Sequence, residues 1–311
     1  MGKVHKPFID DSNYYSDKSY VSNSMLGRLI ESPHLFNLWM KGEYEYPKNP
    51  NFVIGRYVHT MVLEPEKVED FFVSSMRTRT SAGFKEDIKK YGYDWVVTAS
   101  EHEMSVAIQE QIDRRDKLSE LFLFAEREIP FVSEWNGIPI KGKVDAITEY
   151  DGMKVVVDLK TTSKEVTSFS KSARSFDYDR QAYFYLNLTG ADAFMFVPVE
   201  KNFPYTPALY TASDDFIARG KYKFEKAMNL YRQLFLDGEY DEAYLDSLPE
   251  SVRQDIEERM DEQKLYEKPS YRRLLETDSG IKKAPTEDIF GSQFFNTMQT
   301  SFMPISAPNL D

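Results

Sequence analysis

The sequence predicts a mixed α/β fold, with a mixed central sheet flanked by helices and helical additions at both ends. Two observations predict it. Three β-type segments follow one another at 128–133, 138–149 and 153–160, and they are preceded by helix-periodic segments and followed by a helix and a further apolar strand. That order, helix, meander, helix, strand, belongs to a mixed sheet covered by helices. At 311 residues with 41% apolar composition, the chain has enough material for a core in one large domain or two ordinary ones.

The elements are expected in this order. Ser22 or Ser24 caps a short helix through Met25, Leu26, Leu29 and Ile30 that stops before Pro33, and a second apolar stretch follows at Leu35–Trp39. A helix from Asn51 carries the stripe Ile54, Tyr57, Val58, Met61 and Val62, holds His59, and ends at Glu64 before Pro65. Residues 76–92 are polar and basic and read as a mobile segment or a loop leading to a short helix; a longer helix over 99–124 starts from a cap at Ser100. After the meander come a Ser-rich loop, a helix at 177–188 closed by Gly190, a strand at 193–199 and a long helix near 214–236. The expected division is a helical N-terminal region at 1–125, a core at 126–236, an acidic helical extension at 237–268 and an irregular tail at 269–311. The tail's Phe290, Phe294, Phe295, Met298, Phe302 and Met303 suit docking on this protein or a partner.

Composition removes several chemistries. With no cysteine there is no disulfide, thiolate zinc site, cysteine nucleophile or cysteine-held cluster, so any metal is held by oxygen and histidine. No apolar run is long enough for a spanning helix, and charges occupy the N-terminus where a signal peptide is apolar. The expected location is the cytoplasm, that of a bacterial host if the protein is phage-encoded. A net charge of −12 argues against a general nucleic-acid coat, but not against DNA held in a channel of local positive charge. Residues 71–95 are net +2, whereas residues 239–267 are net −8. Taken singly, most of these charges are solvated helix faces.

The most informative stretch is IPIKGKVDAITEYDGMKVVVDLKTT, residues 138–162. Asp151-Gly152 between two β-rich runs signals a two-residue hairpin turn that pairs Tyr150 with Met153. In that register Asp145 lies opposite Asp158. Facing carboxylates destabilise a sheet, and a divalent cation held by both would compensate; hard oxygen ligands favour Mg²⁺, with Mn²⁺ as a substitute. Lys160, two residues on from Asp158, projects from the same face, where it could neutralise a phosphate or orient the attacking water. An isolated Asp-x-Lys is more often a solvent-facing ion pair; the apolar run Val155–Val157 leading into Asp158 shifts this one toward a buried strand whose polar end emerges at a site. Gln181 and Tyr185 share one helix face and could contact a phosphate or steady the lysine, although Tyr185 equally suits core packing. His59 and Glu128 are further candidate ligands; a lone histidine is more often structural, and Glu126 competes with Glu128.

These residues resemble a known family. GRYVHTMVLEP (55–65), EIPF (128–131), GKVDAI (142–147), VDLKTT (157–162) and QAYFY (181–185) look like the RecB/RecE-type branch of the PD-(D/E)XK nucleases, nearest the exonuclease VIII group of phages and prophages. VSNSMLGRLIESPHLF (21–36) and RTRTSAGFKEDIKK (77–90) resemble that group's N-terminal region, so the likeness spans roughly 20–235. It implies a restriction-endonuclease-like core. It makes His59, Asp145, Asp158 and the Leu159 carbonyl metal ligands, with Glu128 as a further acidic position, Lys160 the catalytic lysine, and Gln181 and Tyr185 a Gln-x-x-x-Tyr motif. Asp158 stands where the family often has Glu. The resemblance further implies 5′-to-3′ digestion of linear double-stranded DNA, a homo-oligomeric ring around the duplex with Arg77, Arg79, Lys85 and Lys89 on its inner surface, and a single-strand annealing partner. The alternatives are an endonuclease or single-strand-preferring nuclease on the same core, or a non-catalytic DNA-end-binding protein.

Overall fold

The computed structural model describes residues 14–237 together with Glu250, Ser251, Arg253, Gln254 and Glu258. The expected acidic extension, apart from those five positions, and the expected tail lie outside the described residues. The chain divides into two compact units; in described residues, one comprises 14–23 and 48–224, and the other 24–47 and those from 225 onward.

In the second unit, α1 (Asn23–Glu31, its first residue belonging to the other unit) and α2 (Pro33–Lys41) follow one another, and Ser32 caps α2 by accepting from the Leu35 N–H. Arg28 sits 4.4 Å from the ring centroids of both Trp39 and Tyr46. Phe36 meets Tyr231 and Phe235 edge-on.

The first unit is built around a five-stranded sheet, order β3-β4-β5-β6-β7. Before it come α3 (Pro50–Leu63), a small parallel pair β1 (Phe72–Val73) and β2 (Val96–Val97), α4 (Ala82–Tyr91), α5 (Ala99–Asp113) and α6 (Asp116–Leu123). The single helix expected over 99–124 is therefore two. Its cap is Thr98 rather than Ser100, because Thr98 and Glu101 form a reciprocal capping box. The break falls at Arg115, whose extended backbone starts a second helix that buries Leu118, Leu121 and Phe122.

The strands β3 (Glu126–Trp135), β4 (Ile138–Tyr150) and β5 (Met153–Thr162) form the antiparallel meander. Both turns carry two residues of positive φ, Asn136-Gly137 and Asp151-Gly152, as a two-residue hairpin requires. From β5 the chain crosses through α7 (Phe169–Ser175) and α8 (Tyr178–Thr189) to β6 (Ala193–Glu200), which lies parallel to β5, and β7 (Tyr210–Thr211) closes the edge. A long helix α9 (Asp214–Phe235) follows.

β5 lies between two strands, and its run Val155–Val157 is fully buried, matching the continuous apolar pattern of a strand covered on both faces. Val155, Val157 and Leu159 join Val58 and Val62 of α3 and Ile108 and Ile112 of α5 in one apolar cluster. Asp158 and Lys160 therefore point to the other face, toward α8. There Gly142 of β4 lets α8 approach: a Cβ at that position would lie 2.6 Å from Leu188 and 2.9 Å from Tyr185.

Candidate active site

The hairpin register follows the Asp-Gly turn. Tyr150 pairs with Met153 and the pairing runs unchanged to Ala146 with Val157, so the next position sets Asp145 opposite Asp158. There the Leu159 N–H donates to Asp145 Oδ2 at 2.8 Å. The Asn136-Gly137 turn imposes a second register, in which Arg127 pairs with Ala146 and Ile129 with Val144. Glu128 falls between them, opposite Asp145, with φ +49. Three carboxylates thus stand in one row across three neighbouring strands. A left-handed backbone at a non-glycine residue costs roughly 1–2 kcal/mol, and here it interrupts the ladder at the acidic position.

Each member of the row has a defined partner. Glu128 Oε2 accepts from Lys143 Nζ at 2.9 Å. His59, from α3, places Nδ1 3.5 Å from Asp145 Oδ2 and keeps a quarter of its side chain exposed. Candidate ligand atoms of His59, Glu128 and Asp145 lie within 4.8 Å of one another. Asp158, 1% exposed, takes Lys160 Nζ on Oδ2 at 2.5 Å and Gln181 Nε2 on Oδ1 at 2.9 Å. Lys160 Nζ also lies 4.9 Å from the Tyr178 ring centroid. Tyr185, one turn beyond Gln181, is half-buried near Asp158 and Asp145.

Burial sets the electrostatics. It raises Glu128, with Asp145 adding to the effect, and it raises Asp145. It lifts Asp158 to about 6. Burial alone would lower the Lys160 ammonium, but Asp158, Tyr178 and Asp145 outweigh it and hold the group above its ordinary value. His59 is lowered by burial, which favours the neutral ring with a lone pair to offer. Burial also keeps the Tyr185 phenol protonated.

The clustered donors are the Glu128 and Asp145 carboxylates and the His59 imidazole, with no thiolate and with Asp158 across the hairpin engaged by Lys160 and Gln181, and carboxylates pushed upward by burial and mutual repulsion are relieved by a cation. Those residues fit a hard divalent ion such as Mg²⁺ or Mn²⁺.

The structure brings His59, Glu128, Asp145, Asp158, Leu159, Lys160, Gln181 and Tyr185 together. It gives Arg77, Arg79 and Lys89 other partners: Arg77 is bidentate to Glu103 at 2.8 Å, Arg79 is bidentate to Glu101, and Lys89 pairs with Glu86 at 2.8 Å. Lys85 stands between them on α4. Two contributors had gone unnoticed in the sequence. Lys143 is the diagonal neighbour of Glu128, a placement the Asn136-Gly137 turn encodes. Tyr178, beside Lys160, carries no such signal.

Comparison with known proteins bears on the family and the fold. The sequence model of a family described as a PDDEXK-like domain of unknown function (DUF3799) matches residues 22–240. Among curated proteins, none matches. A crystallised protein from Eubacterium rectale, described as a "Putative exonuclease", superposes with a TM-score of 0.55 at 16% identity, over 72% of this chain and 85% of that one. A phage-related exonuclease from Haemophilus somnus 129PT gives a TM-score of 0.30 at 14% identity, over 49% of this chain and 82% of the other. Among the described residues no helix is long and apolar enough to cross a membrane.

Proposed function

The chain belongs to the PDDEXK-like family DUF3799, and from that premise we propose that it is a divalent-metal-dependent DNA nuclease, an exonuclease that degrades linear double-stranded DNA from its ends in the 5′-to-3′ direction. The observation that carries the hydrolytic reading is the row Glu128–Asp145–Asp158, with His59 at one side and Lys160 two residues beyond Asp158. Ends, polarity and duplex preference are supported by the motif resemblance, as are a ring assembly, an annealing partner and work in phage-type recombination.

His59, Glu128, Asp145, Asp158 and the Leu159 carbonyl would hold the ion, Mg²⁺ or Mn²⁺; when bound it lowers the pKa of the attacking water and neutralises phosphate charge. The protein's own groups do the remainder. Lys143 fixes Glu128, and the Leu159 N–H fixes Asp145. Gln181 fixes one oxygen of Asp158 and leaves the other to Lys160. Lys160 stays protonated and places its positive charge where the phosphodiester gains negative charge during in-line attack. Tyr185, protonated and half-buried, supports Gln181 and can donate toward a phosphate oxygen.

DNA phosphates can take Arg77 and Lys89 by displacing Glu103 and Glu86, since exposed pairs of this kind contribute little and are screened by solvent. Arg79, 17% exposed and gripped by Glu101, is better suited to holding its segment on α5.

The test is incubation of linear and circular duplex DNA with Mg²⁺, using wild type and Lys160→Ala. Loss of linear DNA alone, reduced at least about a hundredfold by the substitution, is expected. Nicked circles would instead indicate an endonuclease. No hydrolysis by wild type with Mg²⁺ or Mn²⁺ would sink the enzymatic reading.

A further inference from the structure

The helix that delivers His59 also borders an aromatic cleft the hydrolytic machinery does not use. The cleft has a volume of about 380 Å³ and is lined by Asp70, Phe72, Tyr91 and Trp95. Phe72 of β1 and Tyr91 at the end of α4 stack face to face, with centroids 3.9 Å apart and planes 14° apart. Trp95 remains 43% exposed and Tyr91 38%, with Phe72 covering one face of Tyr91. Cations edge them. The Arg56 guanidinium lies 4.6 Å from the Trp95 centroid, Lys90 Nζ 4.7 Å from that of Tyr91, and Lys48 Nζ 5.4 Å from that of Tyr93.

We propose that this cleft is a stacking site for one unpaired nucleobase of the DNA strand being cleaved. The inference rests on the nuclease reading and extends it to the form of the substrate near the scissile phosphate. Stacked and exposed aromatic rings take up a base through its π face, and neighbouring Lys and Arg meet the flanking phosphates. Lys48 pairs with Asp94 at 3.7 Å and Arg56 donates to the Asp94 carbonyl, exposed contacts that a phosphate can displace, so this rim suits a polyanion better than an apolar peptide. Asp70, the acid of the lining, can accept from the exocyclic amine of a base, as carboxylates do from cytosine N4. The volume lies at the small end of the range for ligand pockets, which admits a single ring system and its sugar.

Position connects the cleft to the chemistry. Arg56 and His59 are three residues apart on α3, about 4.5 Å along the axis. One helix therefore carries both a residue packed on Trp95 and a residue beside the carboxylate row, so a single DNA strand laid along it can meet both. A base held there is unpaired from its complement. The duplex must therefore be opened locally before cleavage, or be offered with a short single-stranded end.

The test measures binding without catalysis. A fluorescently labelled short oligodeoxycytidylate and an abasic strand of equal length and phosphate count are titrated against the full chain in EDTA. The expected result is about tenfold tighter binding of oligodeoxycytidylate. Trp95→Ala and Tyr91→Ala should each erode that preference while leaving the abasic strand unaffected, and Asp70→Asn should weaken oligodeoxycytidylate but not oligothymidylate. Equal binding of the two strands by wild type, or a preference that survives both aromatic substitutions, overturns the proposal. A variant that loses its fold loses the abasic strand too, and the milder Trp95→Leu then decides together with the wild-type ratio. Hydrolysis with Mg²⁺ is followed separately: cleavage without base preference removes the stacking site alone, and base preference without cleavage removes the nuclease reading alone.

Discussion

Asp158 is the residue on which stability and chemistry meet. It is almost completely buried, held by Lys160 and Gln181, and burial lifts it from 3.8 to about 6. A carboxyl raised on folding binds its proton more tightly in the native state. Its contribution to stability is fully present below about pH 4 and is lost as pH rises through about 6. A shift of this size corresponds to an amount on the order of 3 kcal/mol. Asp158→Asn, which does not titrate, should thus gain stability relative to wild type between pH 4 and 7.5 in EDTA. Thermal unfolding at both ends of that range reads it; a difference between the proteins that does not change with pH would refute the assignment. Mg²⁺ should raise the melting temperature of wild type at pH 7.5 by more than that of the variant, because relief of ligand repulsion is part of what the ion supplies.

Close approach between elements places the helpers. Gly142 admits α8 to β4, which brings Gln181 within reach of Asp158. The beginning of α8 is fixed by α9: Asp179, fully buried, accepts from Arg219 Nε at 2.5 Å and Lys223 Nζ at 3.0 Å. Gly220 makes that contact possible, since a Cβ there would sit 1.9 Å from the Asp179 carbonyl oxygen. Backbone cannot yield as a side chain can. Gly220→Ala should cost about 3 kcal/mol in urea unfolding. Gly83→Ala, where the obstacle is the flexible Met76 side chain, should stay within about 1 kcal/mol of wild type. Similar costs for the two would show that α8 and α9 are not held this closely. Much at this scale was legible. Asp151-Gly152 set the β4–β5 register, and Asn136-Gly137 carries the same signal for β3–β4: read the same way, it puts Glu128 opposite Asp145 and Glu126 opposite Ile147, which separates the two glutamates. The break between α5 and α6 was not legible, because the periodic pattern runs through it and burial of Leu118 and Phe122 decides it.

At the scale of the whole molecule, every residue of the candidate site lies in the unit that comprises 14–23 and 48–224, and the family match ends at residue 240. Residues 277–311, part of the tail expected from sequence to dock on this protein or on a partner, are outside that match. Deleting them should leave hydrolysis of linear DNA within about twofold of the full chain while weakening assembly or partner binding. A collapse of activity in that deletion, with the remainder folded by circular dichroism, would make the tail part of the catalytic unit. The net charge of −12 is compatible with a DNA substrate only if positive charge is local.

By itself the sequence determined the meander, the facing of Asp145 and Asp158, and the projection of Lys160 from their face, because hairpin turns and the two-residue period of a strand are local rules that count residues. Only the tertiary structure decided that His59 of α3 reaches Asp145, that Gln181 and not solvent satisfies Asp158, that Lys143 anchors Glu128, and that Arg77 and Arg79 spend their charge on Glu103 and Glu101. Those contacts join segments up to 86 residues apart. They depend on helices docking through the apolar faces of Val58, Val62 and Leu188 and on the space left at Gly142. Packing complementarity of that kind is a property of the assembled core, and no spacing along the chain expresses it.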